Sequence, residues 1–139
     1  AIEIAEVLGS VPKFRADGNK DFDFLQIGLM LSKDGLEDKI HTRLLRRIRR
    51  GMIVEVRKLR SAGVSWKRLY DFGLEYRFVS EYLRGNMSKG EMIAKLETAI
   101  GQYAKRQMTW FKKDRRIRWF DPKDRRGIER AVIEYLYAK

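Results

Sequence analysis

The stretch Ser88-Lys-Gly-Glu-Met-Ile-Ala-Lys-Leu-Glu-Thr-Ala-Ile-Gly-Gln-Tyr-Ala-Lys-Arg-Gln-Met-Thr-Trp-Phe-Lys-Lys113 decides the fold class. Ser88 followed by Glu91 is a capping box, in which the hydroxyl bonds forward to a backbone N–H and the carboxylate bonds back. From there Ile93, Leu96, Ile100, Tyr103, Gln107 and Phe111 recur at steps of three and four, one stripe of a helix ending near Lys113. Gln102, Lys105, Arg106, Thr109, Lys112 and Lys113 fall on the opposite face. The stripe predicts Tyr103 and Phe111 in the core and Trp110 half-buried at its edge. The other face offers cations for phosphates and a hydroxyl donor, with aromatic rings nearby for stacking on unpaired bases.

Working outward, the same period recurs. Ser32 caps a long helix beginning near Asp34, with Leu36, Ile40, Leu44, Ile48, Met52, Val56 and Leu59 as its stripe and Gly63 as its stop. Gly51 interrupts it at a cost of about 1 kcal/mol relative to Ala, and marks a bend or a close approach. Ser65 caps a short helix through Tyr70, which Phe72-Gly73 breaks. A further helix over Leu74–Arg84 turns Leu74, Phe78, Tyr82 and Leu83 inward. Ile128, Ala131, Val132, Tyr135 and Leu136 mark a terminal helix, and Ile2, Ala5 and Leu8 mark an opening one. Two short apolar runs read as strands: Phe22–Leu29, buried on both faces as in a parallel sheet, and Ile117–Phe120, stopped by Asp121-Pro122. The expected fold is mainly α with two short, parallel strands. Two strands make no stable sheet alone, so part of the domain is expected elsewhere.

The whole chain has 139 residues, 31 Lys plus Arg against 19 Asp plus Glu, and a net charge of +12. Such a field recruits polyanions, nucleic acid foremost and anionic membrane second. With no Cys there is no disulfide, thiolate metal site or Cys nucleophile, which fits a cytoplasmic protein. His41 is the only histidine and has no Ser, Asp or metal constellation beside it, so a surface or capping role is expected. No apolar run approaches the ~20 residues that span a bilayer. Met30, Met52 and Met108 read as core filler. Asp21, Asp23 and Asp34 read as caps, turns or surface charge.

Arg43, Arg46, Arg47 and Arg50 line one helical face, with Arg49 and Arg57 beside it. Glu37, Asp38 and Glu55 are too few to neutralise the row, which is either a solvated face or an additional nucleic-acid contact.

Tyr103-Ala-Lys-Arg-Gln-Met-Thr-Trp-Phe-Lys112 closely resembles the C-terminal signature of the tRNA dimethylallyltransferase (isopentenyl-pyrophosphate transferase) family. Phe22–Leu29 resembles that family's strand before its long helix. Gly73–Arg77 with Glu81–Gly85 resembles its second tRNA-contacting segment, Ile117–Asp121 its closing strand, and Ala1–Ile4 the helix before all of these. The resemblance runs from Ala1 to about Asp121. It implies the C-terminal part of a P-loop NTPase-like α/β enzyme, with residues 1–139 forming a single unit. The family enzyme transfers a dimethylallyl group from dimethylallyl pyrophosphate, with Mg, to N6 of adenosine-37 in the anticodon arm of tRNA, and the reacting base is flipped out to be modified. The tRNA contacts it implies are Phe72, Gly73, Leu74, Glu75, Tyr76 and Arg77, and Lys105, Arg106, Gln107, Met108, Thr109, Trp110, Phe111 and Lys112. Glu75 departs from the usual Gly, and a carboxylate there needs a cationic partner such as Arg77.

The family's phosphate-binding loop and the acidic base that follows it are absent from this sequence. Gly85–Gly90 has neither the spacing nor a preceding strand. The expectation is therefore a tRNA-binding piece with no catalytic residue and no cofactor of its own, inactive without the N-terminal catalytic half. The alternative is a stand-alone helical RNA-binding module without chemistry. Membrane-surface binding is disfavoured, because the stripes carry ordinary core residues.

Overall fold

The computed structural model describes residues 23–137. Among these residues the order is β1 (Ile27–Leu29), α1 (Lys33–Arg49), α2 (Met52–Ser61), α3 (Trp66–Asp71), α4 (Leu74–Leu83), α5 (Lys89–Phe111), β2 (Arg118–Phe120) and α6 (Arg125–Tyr137). The expected helix over Ile2–Leu8 lies outside the described residues, as does Asp21.

The three serine caps predicted from sequence all form. Ser32, Ser65 and Ser88 accept hydrogen bonds from the backbone N–H of Gly35, Arg68 and Glu91, at 3.2, 3.1 and 3.2 Å. Glu91 completes the box by accepting from the Ser88 N–H at 2.8 Å. Helix α4 starts differently. Gly73 precedes it at φ 125°, ψ −177° and offers no side-chain cap.

The single long helix expected from Asp34 to Gly63 is two. Gly51 sits at φ 100°, a left-handed conformation that ends α1 and starts α2 on a new axis. A side chain there would meet nothing within 4 Å, so the bend, rather than a close approach, explains the glycine.

Helix α4 is the hub, packed against α2, α3 and α5, while α1 packs against α2 and α5. Leu44, Met52, Val56, Leu69, Val79, Met92 and Leu96 form the buried cluster at their junction. Leu74, Phe78, Tyr82 and Leu83 line it as expected, but Val79 and Ser80 are the fully buried residues of α4. Met52 fills the core as predicted, whereas Met30 is exposed.

The two strands pair in parallel, Ile27 with Arg118, Gly28 with Trp119 and Leu29 with Phe120. Both are shorter than the apolar runs suggested. The expectation of burial on both faces fails among the described residues, where Leu29 is exposed and the other residues of β1 only half-buried. Gly28 is a close-approach glycine: a Cβ there would lie 2.5 Å from Trp119 Cε3 and 2.7 Å from Ile117 Cγ2. Helix α6 buries Ala131 and is tethered to β2 by Arg118–Glu134 at 3.5 Å, while Leu136 is exposed rather than inward.

Candidate nucleic-acid interface

Helix α5 has 23 residues and is about 35 Å long at 1.5 Å per residue, whereas its partner α4, with 10, spans about 15 Å. The C-terminal turns of α5 therefore outrun the bundle. This length mismatch corrects the core assignment: Tyr103 is 49% exposed, Phe111 43% and Trp110 67%. A stripe that is buried at Leu96 continues in register into solvent.

The result is a surface that combines cations and rings. Lys105, Arg106, Gln107, Thr109 and Lys112 are exposed, and Met108 is half-buried. The Arg106 guanidinium lies 5.8 Å from the Tyr103 ring centroid, and Trp110 meets Phe111 edge to face at 5.1 Å. The Thr109 hydroxyl donates to the Lys105 carbonyl at 3.0 Å, leaving its oxygen lone pairs available. Trp110 and Phe111 wall a groove with Gln26, Lys113, Asp114 and Ile117, at the point where α5 returns to the strands. Arg116 pins that return, its side chain donating twice to Asp114 at 2.9 and 2.7 Å. These bonds and the one from the Arg116 N–H hold the Asp114 carboxyl down to about 2.

The second predicted segment spans the end of α3 and the first turn of α4. Phe72 is exposed and packs edge to face on Tyr76 at 5.5 Å. The Tyr76 hydroxyl donates to Glu55 at 2.5 Å, and this bond above all, followed by burial, raises the phenol above its ordinary range. Leu74 packs toward the core beneath. Glu75 pairs with Arg47 at 2.8 Å and not with Arg77. The departure from glycine at this position thus carries an ion pair that ties α4 to α1. Arg77 instead lies over the Tyr70 ring, 4.0 Å from its centroid. Phe78 shares a groove with Ala94, Lys95, Thr98, Ala99 and Gln102, and Gln102 precedes Lys105 by one helical turn. The groove thus joins α4 just past residues 72–77 to α5 just before residues 105–112.

The arginine row divides. Arg43, Arg46 and Arg50 stay exposed, while Arg47 is half-buried against Glu75. His41 makes a surface contact to Glu97 at 3.1 Å, joining α1 to α5, in keeping with the surface role expected of it. Sequence reasoning missed Arg60, Trp66, Arg68 and Tyr70, where arginines lie on aromatic faces around α3. The spacing of Trp66 and Tyr70, and of Arg68 and Phe72, at four residues was the available signal.

This architecture, a helical bundle continuing from a parallel strand pair, recurs within two solved transferases. The full-length tRNA isopentenylpyrophosphate transferase of Bacillus halodurans superposes with a TM-score of 0.72 at 29% identity, covering 85% of this chain and 40% of its own. The tRNA delta(2)-isopentenylpyrophosphate transferase of Staphylococcus epidermidis gives 0.71 at 25% identity, covering 85% and 39%. A sequence profile of the IPP transferase family matches residues 1–114, and the chain belongs to that family. Among curated relatives, tRNA dimethylallyltransferase 2 of Citrifermentans bemidjiense is 40% identical over 113 residues, 81% of this chain and 36% of the relative. tRNA dimethylallyltransferase 1 of Syntrophus aciditrophicus is 40% identical over 134 residues, 96% of this chain and 41% of the relative. The chain thus spans roughly two fifths of the length of such relatives. No helix among the described residues is long and apolar enough to cross a membrane.

Proposed function

We propose that this chain is the tRNA-binding C-terminal part of a cytoplasmic tRNA dimethylallyltransferase, forming one unit over residues 1–139. The complete enzyme would move the dimethylallyl group of dimethylallyl pyrophosphate to N6 of adenosine-37. The observation that carries this reading is the solvent-exposed run Lys105–Lys112, at the end of a helix that outgrows its bundle, inside the region matched to the family. Its charges suit the phosphates of the anticodon arm, and its exposed rings suit a base taken out of its stack. Residues 72–77 add Arg77 and Phe72 beside it, and exposed Arg43, Arg46 and Arg50 extend the positive field. Arg47 acts by holding Glu75.

Mg and the pyrophosphate donor belong, on this reading, to the complete enzyme. Among the described residues no three His, Asp or Glu side chains are grouped to hold a metal ion, and the sequence lacks a phosphate-binding loop. The described residues do not fit either group. The chain's own work is to bind and orient tRNA for a catalytic half supplied by the remaining length of the parent protein. The test is transfer of labelled dimethylallyl to tRNA, run beside tRNA binding. Binding without turnover by the chain alone is expected; robust turnover would overturn the division of labour.

A further inference from the structure

Helix α3 buries Leu69 and carries an aromatic residue on each side of it, with an arginine over every ring. Arg60 lies 5.1 Å from the Trp66 ring centroid, Arg77 4.0 Å from Tyr70, and Arg68 5.4 Å from Phe72. Trp66 and Tyr70 are four residues apart, so the first two stacks stand one helical turn from each other. None of the three arginines has a carboxylate partner among the described residues. Over residues 52–71, Arg57, Lys58, Arg60, Lys67 and Arg68 face only Glu55 and Asp71, and Glu55 is engaged by Tyr76. All five cations are exposed.

A guanidinium resting on a ring is pre-positioned, and its remaining N–H groups can meet phosphate oxygens; Arg60 also donates to the Val64 carbonyl at 3.4 Å, and the Arg77 Nε is buried without a partner. Surface arginines that served only solubility would need no such stacking. We propose that the α2–α3 hairpin is a third RNA-contacting surface, outside residues 72–77 and 105–112, gripping the phosphate backbone of an RNA helix without reading its sequence. This rests on the tRNA reading above. It joins that surface through Arg77 and places backbone contacts beside the segments that would meet the loop.

The experiment titrates the full chain with a transcribed tRNA and with an RNA hairpin stem closed by a short unrelated loop, across a salt series. The Arg60→Gln/Arg68→Gln variant is expected to lose roughly tenfold in affinity for both RNAs. Its log–log salt slope should flatten by about 1.5 to 2. Arg125→Gln/Arg126→Gln removes equal charge from α6 and should have a smaller effect; an equal effect would overturn the proposal by making net charge the cause. Unchanged affinity and slope in the hairpin variant, while Lys105→Ala/Arg106→Ala weakens binding, would overturn this inference alone. Failure of the wild-type chain to bind tRNA would overturn the underlying reading and this one with it. Circular dichroism monitors folding. Should the arginine variant unfold, Lys58→Gln/Lys67→Gln on the same hairpin carries the same prediction, since neither lysine makes an ion pair among the described residues.

Discussion

Asp114 receives three hydrogen bonds from Arg116, and its carboxyl is held near 2 against an ordinary 3.8. A carboxyl whose folded value is depressed contributes stability in full above its unfolded value and loses it as pH falls through the folded one. The contribution of the contact at the end of α5 is therefore present above about pH 4 and is lost as the pH falls through about 2. Arg116→Ala should return the Asp114 titration, followed by carboxyl carbon NMR, toward 3.8; an unmoved value would show that Arg116 is not the cause. Gly51 shows how a residue-scale reading can reverse. As an interruption within one helix, it would gain stability on mutation to Ala. At φ 100° the sign changes, because Ala strains the left-handed turn, and Gly51→Ala should cost about 1 kcal/mol in urea unfolding. Gly73, at φ 125° and ψ −177°, lies in a region occupied almost only by glycine, and Gly73→Ala should cost about 1 to 3 kcal/mol. A stabilised variant at either site would contradict the assigned backbone.

At the scale of elements, local chemistry was readable and length mismatch was not. The three serine caps and the Ser88–Glu91 box follow from residues within one turn, so their positions could be read directly. Ser88→Ala should cost about 1 kcal/mol, measured by denaturant unfolding, and no loss would mean that water caps α5 equally well. Exposure of Tyr103, Trp110 and Phe111 depends instead on where α4 begins, a relation between elements that no periodicity within α5 contains. The parallel strand pair is equally non-local, joining Gly28 to Trp119. Alternating patterns give no hint that the Trp119 ring occupies the space of a Gly28 side chain. Gly28→Ala should therefore cost about 1 to 3 kcal/mol through overpacking, and a neutral result would mean that the strand pair yields freely. Likewise, the composition near Glu75 pointed to Arg77, the nearer cation in sequence, whereas folding delivers Arg47 from α1.

For the whole molecule, the charge of +12 is distributed with purpose. Cations tied into ion pairs, such as Arg47, Arg84 and Arg116, hold elements together or pin their ends. Among the described residues, those without carboxylate partners include the cations on the outrunning end of α5, the exposed side of α1 and the stacks around α3, with a further group on α6. The family match sets that surface in a member of the IPP transferase family that spans roughly two fifths of the length of such relatives. The decisive measurement is the affinity of the chain for tRNA as a function of salt, in the wild type and in Lys105→Ala/Arg106→Ala. If about six phosphates are neutralised, the wild-type log–log slope should be roughly −4 to −5, flattening by about 2 with weaker binding in the variant. A flat wild-type response, or identical affinity and slope in the two proteins, would contradict a localised tRNA-binding surface at the end of α5.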